Sequence, residues 1–138
     1  MPKVYHCTME VRGYELDSFG HVNHAAYISY LEHARWKMLY AEGVTLDKFP
    51  LWKRWPIVHK VEATYLKPTY LGEELDVRTW IVDHGKTYFV LKQTIYRGDE
   101  IVVEAKVQAV MIDERGRPAR LPDEVHKLWA DQDHGEPV

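Results

Sequence analysis

The sequence is poor in the features that would place a chain outside the ordinary globular proteins. It holds one cysteine, Cys7, in 138 residues, which excludes an intramolecular disulfide and favours a reducing compartment, the cytoplasm. No stretch approaches the roughly 18 apolar residues of a membrane span, and the start lacks the apolar core of a signal peptide. The formal net charge of −3 argues against nucleic acid. We expect a cytoplasmic protein without membrane or nucleic-acid partners.

Internal repeats, low-complexity tracts and linkers are also missing. A chain of 138 residues has about the length of one domain. Its apolar residues (46%) and charged residues (28%) are in the proportions of a globular protein. We therefore expect a single domain over residues 1–138, with a polar tail at residues 131–138.

Residues 11–43 carry the most informative pattern. A strand over residues 4–14 leads into a loop in which Gly20 can adopt the positive φ of a sharp turn. Asn23 is a suitable N-cap, so a helix should begin at His24 and end near Gly43, which suits the C′ position. Apolar residues follow at spacings of three and four, as helical periodicity requires: Tyr27, Leu31, Ala34, Met38 and Ala41.

After Pro56 the apolar period changes to two, which indicates strands. Four are predicted, over residues 57–66, 75–82, 87–95 and 101–111, forming a consecutive antiparallel meander. In the first, one set of residues (Ile57, His59, Val61, Ala63 and Tyr65) alternates with the other (Val58, Lys60, Glu62, Thr64 and Leu66). A short closing helix is predicted at residues 122–130. Residues 44–56 are irregular, and indicate either a loop packed on the core or a flap lining an apolar ligand channel.

The meander has one apolar face and needs a covering layer, which only the long helix can supply. The sequence thus predicts an α+β fold in which a five-stranded antiparallel sheet wraps around one long central helix. The open edges of such a sheet favour the pairing of two protomers.

Asp17 lies in the loop just ahead of the helix, where free N–H groups and the helix dipole can bind developing negative charge. This layout indicates the active site of a small hydrolase, the alternative being a loop or cap residue. A reference pKa of about 3.9 is low for a base at neutral pH. Either an apolar pocket raises the pKa of Asp17, or its carboxylate attacks the carbonyl carbon directly.

Other polar residues near the helix start have simpler explanations. His21 and His24 are three residues apart, but no acid or cysteine completes a typical ligand set, so no metal is expected. Glu32 and Arg35 are spaced for a structural salt bridge on the helix surface. A catalytic role for Glu32 is the minor alternative.

The run Asp17-Ser-Phe-Gly-His-Val-Asn-His-Ala-Ala-Tyr27, continued by Leu31-Glu-His-Ala-Arg35, resembles the 4-hydroxybenzoyl-CoA thioesterase family. It is most similar to the bacterial long-chain acyl-CoA thioesterase branch. The resemblance implies the hotdog fold, a homodimer with a ten-stranded sheet, often a dimer of dimers, and sites at the protomer interface. It makes Asp17 the catalytic carboxylate and the backbone N–H of His24 the oxyanion donor.

From this resemblance we expect hydrolysis of a fatty or aryl acyl-CoA to free acid and CoA, with CoA part of the substrate and no cofactor. Gly20, His21, Asn23 and Tyr27 are expected to border the substrate, although Asn23 also suits capping and Tyr27 packing. Two alternatives are an acyl-acyl carrier protein (acyl-ACP) thioesterase and a non-catalytic acyl-CoA-binding or sensing module, because a fold does not fix a function.

Overall fold

A computed structural model describes residues 2–130, 132 and 137, so the predicted polar tail at 131–138 lies almost wholly outside the described residues. The strands are β1 (Tyr5–Glu10), β2 (Trp55–Tyr65), β3 (Glu74–His84), β4 (Tyr88–Arg97) and β5 (Glu100–Ile112). The helices are α1 (His24–Ala41), α2 (Lys48–Trp52) and α3 (Asp123–Ala130). The first strand is shorter than predicted, because the chain turns into a 3-10 helix at Gly13–Glu15.

The strands form one antiparallel sheet in the order β1-β3-β4-β5-β2. The prediction of a five-stranded antiparallel sheet is confirmed. The predicted consecutive meander is wrong for its first strand, since β2 pairs with β5 and not with β3. The reason lies in residues 66–73, which do not turn back in a hairpin but cross to β3, on the far side of β4 and β5.

This crossing segment runs past the start of α1 and is fixed there by backbone hydrogen bonds. The Val22 N–H donates to the Thr69 carbonyl at 3.0 Å, and the Gly72 N–H donates to the Val11 carbonyl at 3.0 Å. The Val11 N–H in turn donates to the Glu73 carbonyl at 2.9 Å. The chain thus places β2 at one edge of the sheet and ties the loop before α1 to the residues that follow β2.

A register shift between Val58 and Lys60 in β2 interrupts the predicted alternation. In the pairing with β5, Val58 is opposite Ala109 and Val61 is opposite Val107. Ala109 and Val107 are both buried, so Val58 and Val61 share the inner face of the sheet. A bulge adds one residue to a strand and breaks its strict alternation. The predicted alternation of residues 57–66 is therefore broken at His59 and holds from Lys60 onward.

The α1 helix supplies the central layer of the core. Its buried residues recur at helical spacing: Ala26, Tyr27, Tyr30, Leu31, Ala34, Met38 and Leu39. They contact two clusters of sheet residues, one beside each half of the helix. Because these side chains leave water together, the burial of α1 is the main source of its stability. The predicted central helix is confirmed, with Gly43 just past its end at φ of +79°.

Residues 44–56 form a covering layer around the short helix α2. Phe49 is buried and its ring lies 6.2 Å from the rings of both Trp36 and Trp52. The α3 helix closes the same cluster, with Trp129 4.5 Å from Phe89 between ring centres. The interpretation as a layer packed on the core is confirmed. Over the described part of the chain, none of the helices has the length and apolar character needed to cross a membrane.

Candidate active site

The loop that carries Asp17 is a tight turn held by its own backbone. Leu16 and Val22 form an antiparallel bridge across its base. The Asp17 N–H donates to the His21 carbonyl at 2.7 Å, and the Gly20 N–H donates to the Asp17 carbonyl at 3.0 Å. Gly20 has φ of +79°, a region that costs other residues about 1–2 kcal/mol. The predicted turn at Gly20 is confirmed.

The same loop orients the Asp17 carboxylate. Its Oδ1 accepts hydrogen bonds from the N–H groups of Phe19 at 2.9 Å and His21 at 3.2 Å. Its Oδ2 has no hydrogen-bond partner among the described residues, and the side chain is exposed. One oxygen is therefore fixed by the backbone and the other is available to a ligand.

The start of α1 is capped so that two N–H groups remain free. Asn23 has extended backbone angles, and its Oδ1 accepts from the Ala26 N–H at 2.8 Å. Its Nδ2 and backbone N–H both donate to the Glu15 carbonyl, at 3.0 and 2.9 Å. The predicted N-cap is confirmed. Within the described chain the N–H groups of His24 and Ala25 have no acceptor, and they carry the positive end of the helix dipole.

Asp17 and the helix start border one cleft of about 340 Å³. Four of the predicted site residues line it: Asp17, His21, His24 and Tyr27. They are joined by Tyr65 from the end of β2, whose ring centre lies 4.9 Å from that of His24 and 5.4 Å from that of Tyr27, and by Lys67. Gly20 and Asn23 are not part of the wall. They shape the loop and the helix start behind it.

Tyr27 is buried and forms the back of the cleft. Its hydroxyl shares a 2.8 Å hydrogen bond with Thr69 Oγ1 on the crossing segment. Burial raises the pKa of Tyr27, although the hydrogen bond to Thr69 acts in the opposite direction. Tyr27 is therefore a neutral packing residue, as the sequence suggested.

Behind the Asp17 loop lies a buried acid, Glu15. Its Oε1 accepts from the Arg12 N–H at 2.8 Å and from the Tyr30 hydroxyl at 2.6 Å, and its Oε2 accepts from the Arg12 side chain at 2.8 Å. Burial opposes the charge of Glu15, but these hydrogen bonds outweigh it and lower its pKa. Nothing in the sequence indicates this role, because Glu15 resembles any polar loop residue until the fold brings the Tyr30 hydroxyl to it.

Two further expectations concern metal ligands and the pair of Glu32 and Arg35. No cluster of three or more potential ligands from His, Cys, Asp and Glu occurs within the described ranges. The predicted salt bridge between Glu32 and Arg35 is wrong. Arg35 turns inward and its Nη1 donates to Gln93 Oε1 at 3.0 Å, and within the described residues no ion pair joins it to Glu32.

Residues at and after the end of β2 join the site, which the sequence alone did not predict. Tyr65, Leu66, Lys67 and Pro68 all line the cleft. Only the pairing of β2 with β5 brings this stretch over the start of α1. A possible signal was the eight-residue gap between two predicted strands, which is longer than a tight hairpin needs.

Comparison with known proteins agrees with this geometry. Residues 11–128 match the model of the thioesterase-like superfamily. The chain is 28% identical over 131 residues to the chloroplast acyl-acyl carrier protein thioesterase ATL3 of Arabidopsis thaliana, covering 94% of this chain and 69% of that protein. It is 30% identical over 114 residues to the long-chain acyl-CoA thioesterase FadM of Escherichia coli, covering 76% and 80%.

A solved structure supports the fold alone. Slr0204, a 1,4-dihydroxy-2-naphthoyl-CoA thioesterase from Synechocystis, superimposes with a TM-score of 0.86 at 18% identity, covering 96% of this chain and 100% of that one. The sheet order, the central helix and the match over residues 11–128 agree with one another. The chain therefore belongs to the thioesterase-like superfamily, as a thioester hydrolase with the hotdog fold.

Proposed function

We propose that this protein hydrolyses the thioester of a fatty or aryl acyl-CoA to the free acid and CoA. One observation carries the proposal: Asp17, whose Oδ2 is free among the described residues, and His24, whose N–H is unpaired there, line the same cleft. A thioester carbonyl needs both an oxygen nucleophile and a donor for the negative charge that develops on its oxygen. A helix N-terminus supplies such a donor without a side chain, commonly worth about 3 kcal/mol.

Two routes fit these groups. In the first, Asp17 Oδ2 attacks the carbonyl carbon, the C–S bond breaks, and CoA leaves as a thiolate that then takes a proton; water hydrolyses the acyl–Asp17 anhydride. In the second, Asp17 takes a proton from a water molecule whose oxygen attacks the carbon, and the proton passes to the leaving thiolate. In both routes, the carbonyl oxygen of the substrate accepts a hydrogen bond from the His24 N–H.

The remaining predicted site residues have distinct parts in the proposal. The imidazoles of His21 and His24 and the ring of Tyr27 line the cleft and contact the substrate near the thioester. Gly20 and Asn23 keep Asp17 and the helix start in position. Lys67 at the cleft wall supplies a cation, but it is paired with Glu100 at 2.5 Å. CoA enters only as part of the substrate, and the proposal needs no cofactor.

An acyl-ACP thioester is the second candidate substrate. It is favoured by the similarity to ATL3, whose alignment covers 94% of this chain. Both candidates share the acyl thioester and the phosphopantetheine arm, so the chemistry at Asp17 is the same. The cytoplasmic location stays a prediction.

We further propose a homodimer, itself paired into a dimer of dimers. In the described chain β2 pairs on one side only and its other edge is open. Around Val61 the sequence is self-complementary: antiparallel pairing of two β2 edges about Val61 would place Lys60 opposite Glu62 of the partner subunit, twice. Pairing centred on Lys60 or on Glu62 would instead place like charges opposite each other, which is unfavourable.

The proposed activity is tested by thiol release from a panel of acyl-CoA and acyl-ACP substrates of different chain length. The Asp17→Asn variant should lose at least about 100-fold in kcat, since it removes the charge that attacks or accepts the proton. The control is Asp99→Asn, an exposed acid in the turn between β4 and β5. Absence of turnover on every substrate, or an unimpaired Asp17→Asn, would refute the proposal.

Trapping separates the two routes. Hydroxylamine added during turnover converts an acyl–Asp17 anhydride into a hydroxamate, which mass spectrometry of the Asp17 peptide detects. A hydroxamate at Asp17 identifies direct attack. Solvent oxygen recovered in the Asp17 carboxylate identifies the same route, with water attacking the aspartyl carbon of the anhydride. Neither signal is expected if Asp17 activates water.

A further inference from the structure

A second cleft, of about 200 Å³, lies between the later part of α1 and the first residues of β2. Its walls are largely apolar and include Trp36, Leu39, Val58, Phe89 and Leu91. It is separate from the Asp17 cleft. Arg35, which also lines it, follows His24 by eleven residues and therefore lies roughly 16 Å further along the helix axis at 1.5 Å per residue.

Arg35 is the unusual member of this wall. The side chain is half-buried, and burial lowers its pKa, which shows that the surrounding apolar atoms disfavour the charge. A guanidinium has five N–H donors. Only Nη1 of Arg35 has a partner among the described residues, Gln93 Oε1 at 3.0 Å. The Nε and Nη2 groups, which form the fork that binds a carboxylate with two hydrogen bonds, have none.

Gln93 fixes the position of this fork. It is 0% exposed, and its Nε2 donates to the Leu31 carbonyl and to Thr79 Oγ1, both at 3.0 Å. Those two bonds determine the orientation of the amide and leave its Oε1 for Arg35. A buried glutamine satisfied in this way holds the guanidinium in one place, so that less side-chain entropy is lost when a ligand binds.

The one acid in the wall leaves Arg35 available. Glu32 lies one turn earlier and raises the pKa of Arg35 by its charge, yet no ion pair joins the two within the described residues. An exposed Glu32 keeps most of its hydration, whereas the half-buried Arg35 has lost part of its own. A ligand carboxylate in the cleft would accept hydrogen bonds from Arg35 and so replace part of the hydration that Arg35 has lost.

We propose that this cleft binds an apolar chain or ring that ends in a carboxylate, with Arg35 recognising the carboxylate. Two sources share this chemistry: a free fatty acid, and the far end of an acyl group that carries a second carboxyl. The proposal goes beyond the thioesterase activity and does not depend on it, because binding is measured without hydrolysis.

Isothermal titration with octanoate and with 1-octanol tests the proposal. The wild type should bind octanoate about tenfold more tightly than the alcohol of equal length, since a hydrogen-bonded charge pair adds to the same apolar contact. Arg35→Met has a similar length and no charge, and should remove this preference while retaining the affinity for octanol. Equal affinities in the wild type, or a preference that survives Arg35→Met, would overturn the proposal.

Two more variants keep the test decisive. Glu32→Gln removes the nearby negative charge and should tighten octanoate binding but not octanol binding; an unchanged octanoate affinity counts against Arg35 recognition even if Arg35→Met does not fold. Asp17→Asn distinguishes the two clefts, because loss of the Asp17 charge would change the affinity for a carboxylate bound beside it. Octanoate affinity should be unchanged in Asp17→Asn; a change in either direction would place the ligand in the other cleft and overturn the proposal.

Thioesters then separate the two sources. CoA thioesters ending in a carboxylate are compared with methyl-ended ones of equal length. If kcat/KM is higher for the carboxylate-ended series in the wild type but not in Arg35→Met, the cleft binds the far end of the acyl group of the substrate. If octanoate binds through Arg35 but the two series are hydrolysed equally, the ligand is a free fatty acid.

Discussion

Replacement of Asn23 by alanine is the most informative test of how the helix start is built. It removes the Oδ1 acceptor of the Ala26 N–H, a 2.8 Å bond, and the Nδ2 donor to the Glu15 carbonyl, a 3.0 Å bond. Loss of an N-cap costs about 1 kcal/mol, and loss of a neutral hydrogen bond about 1 kcal/mol. We expect Asn23→Ala to lower the free energy of unfolding by about 2 kcal/mol.

Asn23→Asp separates the two contributions. An aspartate keeps an acceptor for the Ala26 N–H but cannot donate to the Glu15 carbonyl, so the expected loss is about 1 kcal/mol. Its charge near the helix start is favourable for the dipole in the resting protein. The same charge opposes the oxyanion that develops at the His24 N–H. We expect kcat to fall roughly tenfold in Asn23→Asp, although it is the more stable of the two variants.

The free energies are measured by urea unfolding, followed by tryptophan fluorescence, and kcat by thiol release. All samples are compared at one protein concentration, because the stability of an oligomer depends on it. The control is His33→Ala, which changes an exposed residue in the middle of α1. A loss below about 0.5 kcal/mol in Asn23→Ala, or full kcat in Asn23→Asp, would show that the cap does not position the catalytic N–H.

Two further predictions concern charge. Because hydrogen bonds lower the pKa of Glu15 below its usual value of 4.5, the unfolded chain binds more protons than the folded one as the pH falls below that value, so the free energy of unfolding should decrease there. When the free energy of unfolding is measured against pH, it should decrease less in Tyr30→Phe than in the wild type. An identical slope would contradict the role of Tyr30 in lowering the pKa of Glu15. For the proposed dimer, Glu62→Lys should weaken self-association roughly tenfold, and adding Lys60→Glu should restore it, as measured by analytical ultracentrifugation. Failure of the double variant to recover would exclude the proposed register.

The sequence predicted the elements better than their arrangement. Apolar periodicity is local, so the helix from His24 and the five strands could be derived from it. The pairing of β2 could not, because alternation in residues 57–66 is the same whether the strand lies beside β3 or β5. The face change at His59 was equally hidden, since a bulge adds one residue without any change in composition.

The site shows the same division. Asp17, Gly20 and Asn23 lie within seven residues, and their turn and capping chemistry could be derived from local preferences alone. Tyr65 lines the cleft beside His24, and Thr69 bonds to Tyr27. Both contacts join residues about forty positions apart in sequence, which no local pattern encodes. The role of Glu15 was not predicted and that of Arg35 was predicted wrongly, for a related reason. Each polar side chain turns inward to bond to a residue distant in sequence, Tyr30 for Glu15 and Gln93 for Arg35.

The crossing segment at residues 66–73 also bears on the order in which the protein folds. Loop closure between distant parts of a chain is slow, and contacts of large sequence separation form late. The hydrogen bonds from this segment to Val11 and Val22 can all form only when the chain extends to Glu73, which directly precedes β3. A nascent chain that ends at residue 60 would contain Asp17, Asn23, all of α1 and the hydrogen bonds within the Asp17 loop, but it would lack the Thr69 carbonyl that binds Val22 and the residues 65–68 that complete the cleft wall. The cleft is therefore completed late, when residues 66–73 cross the sheet.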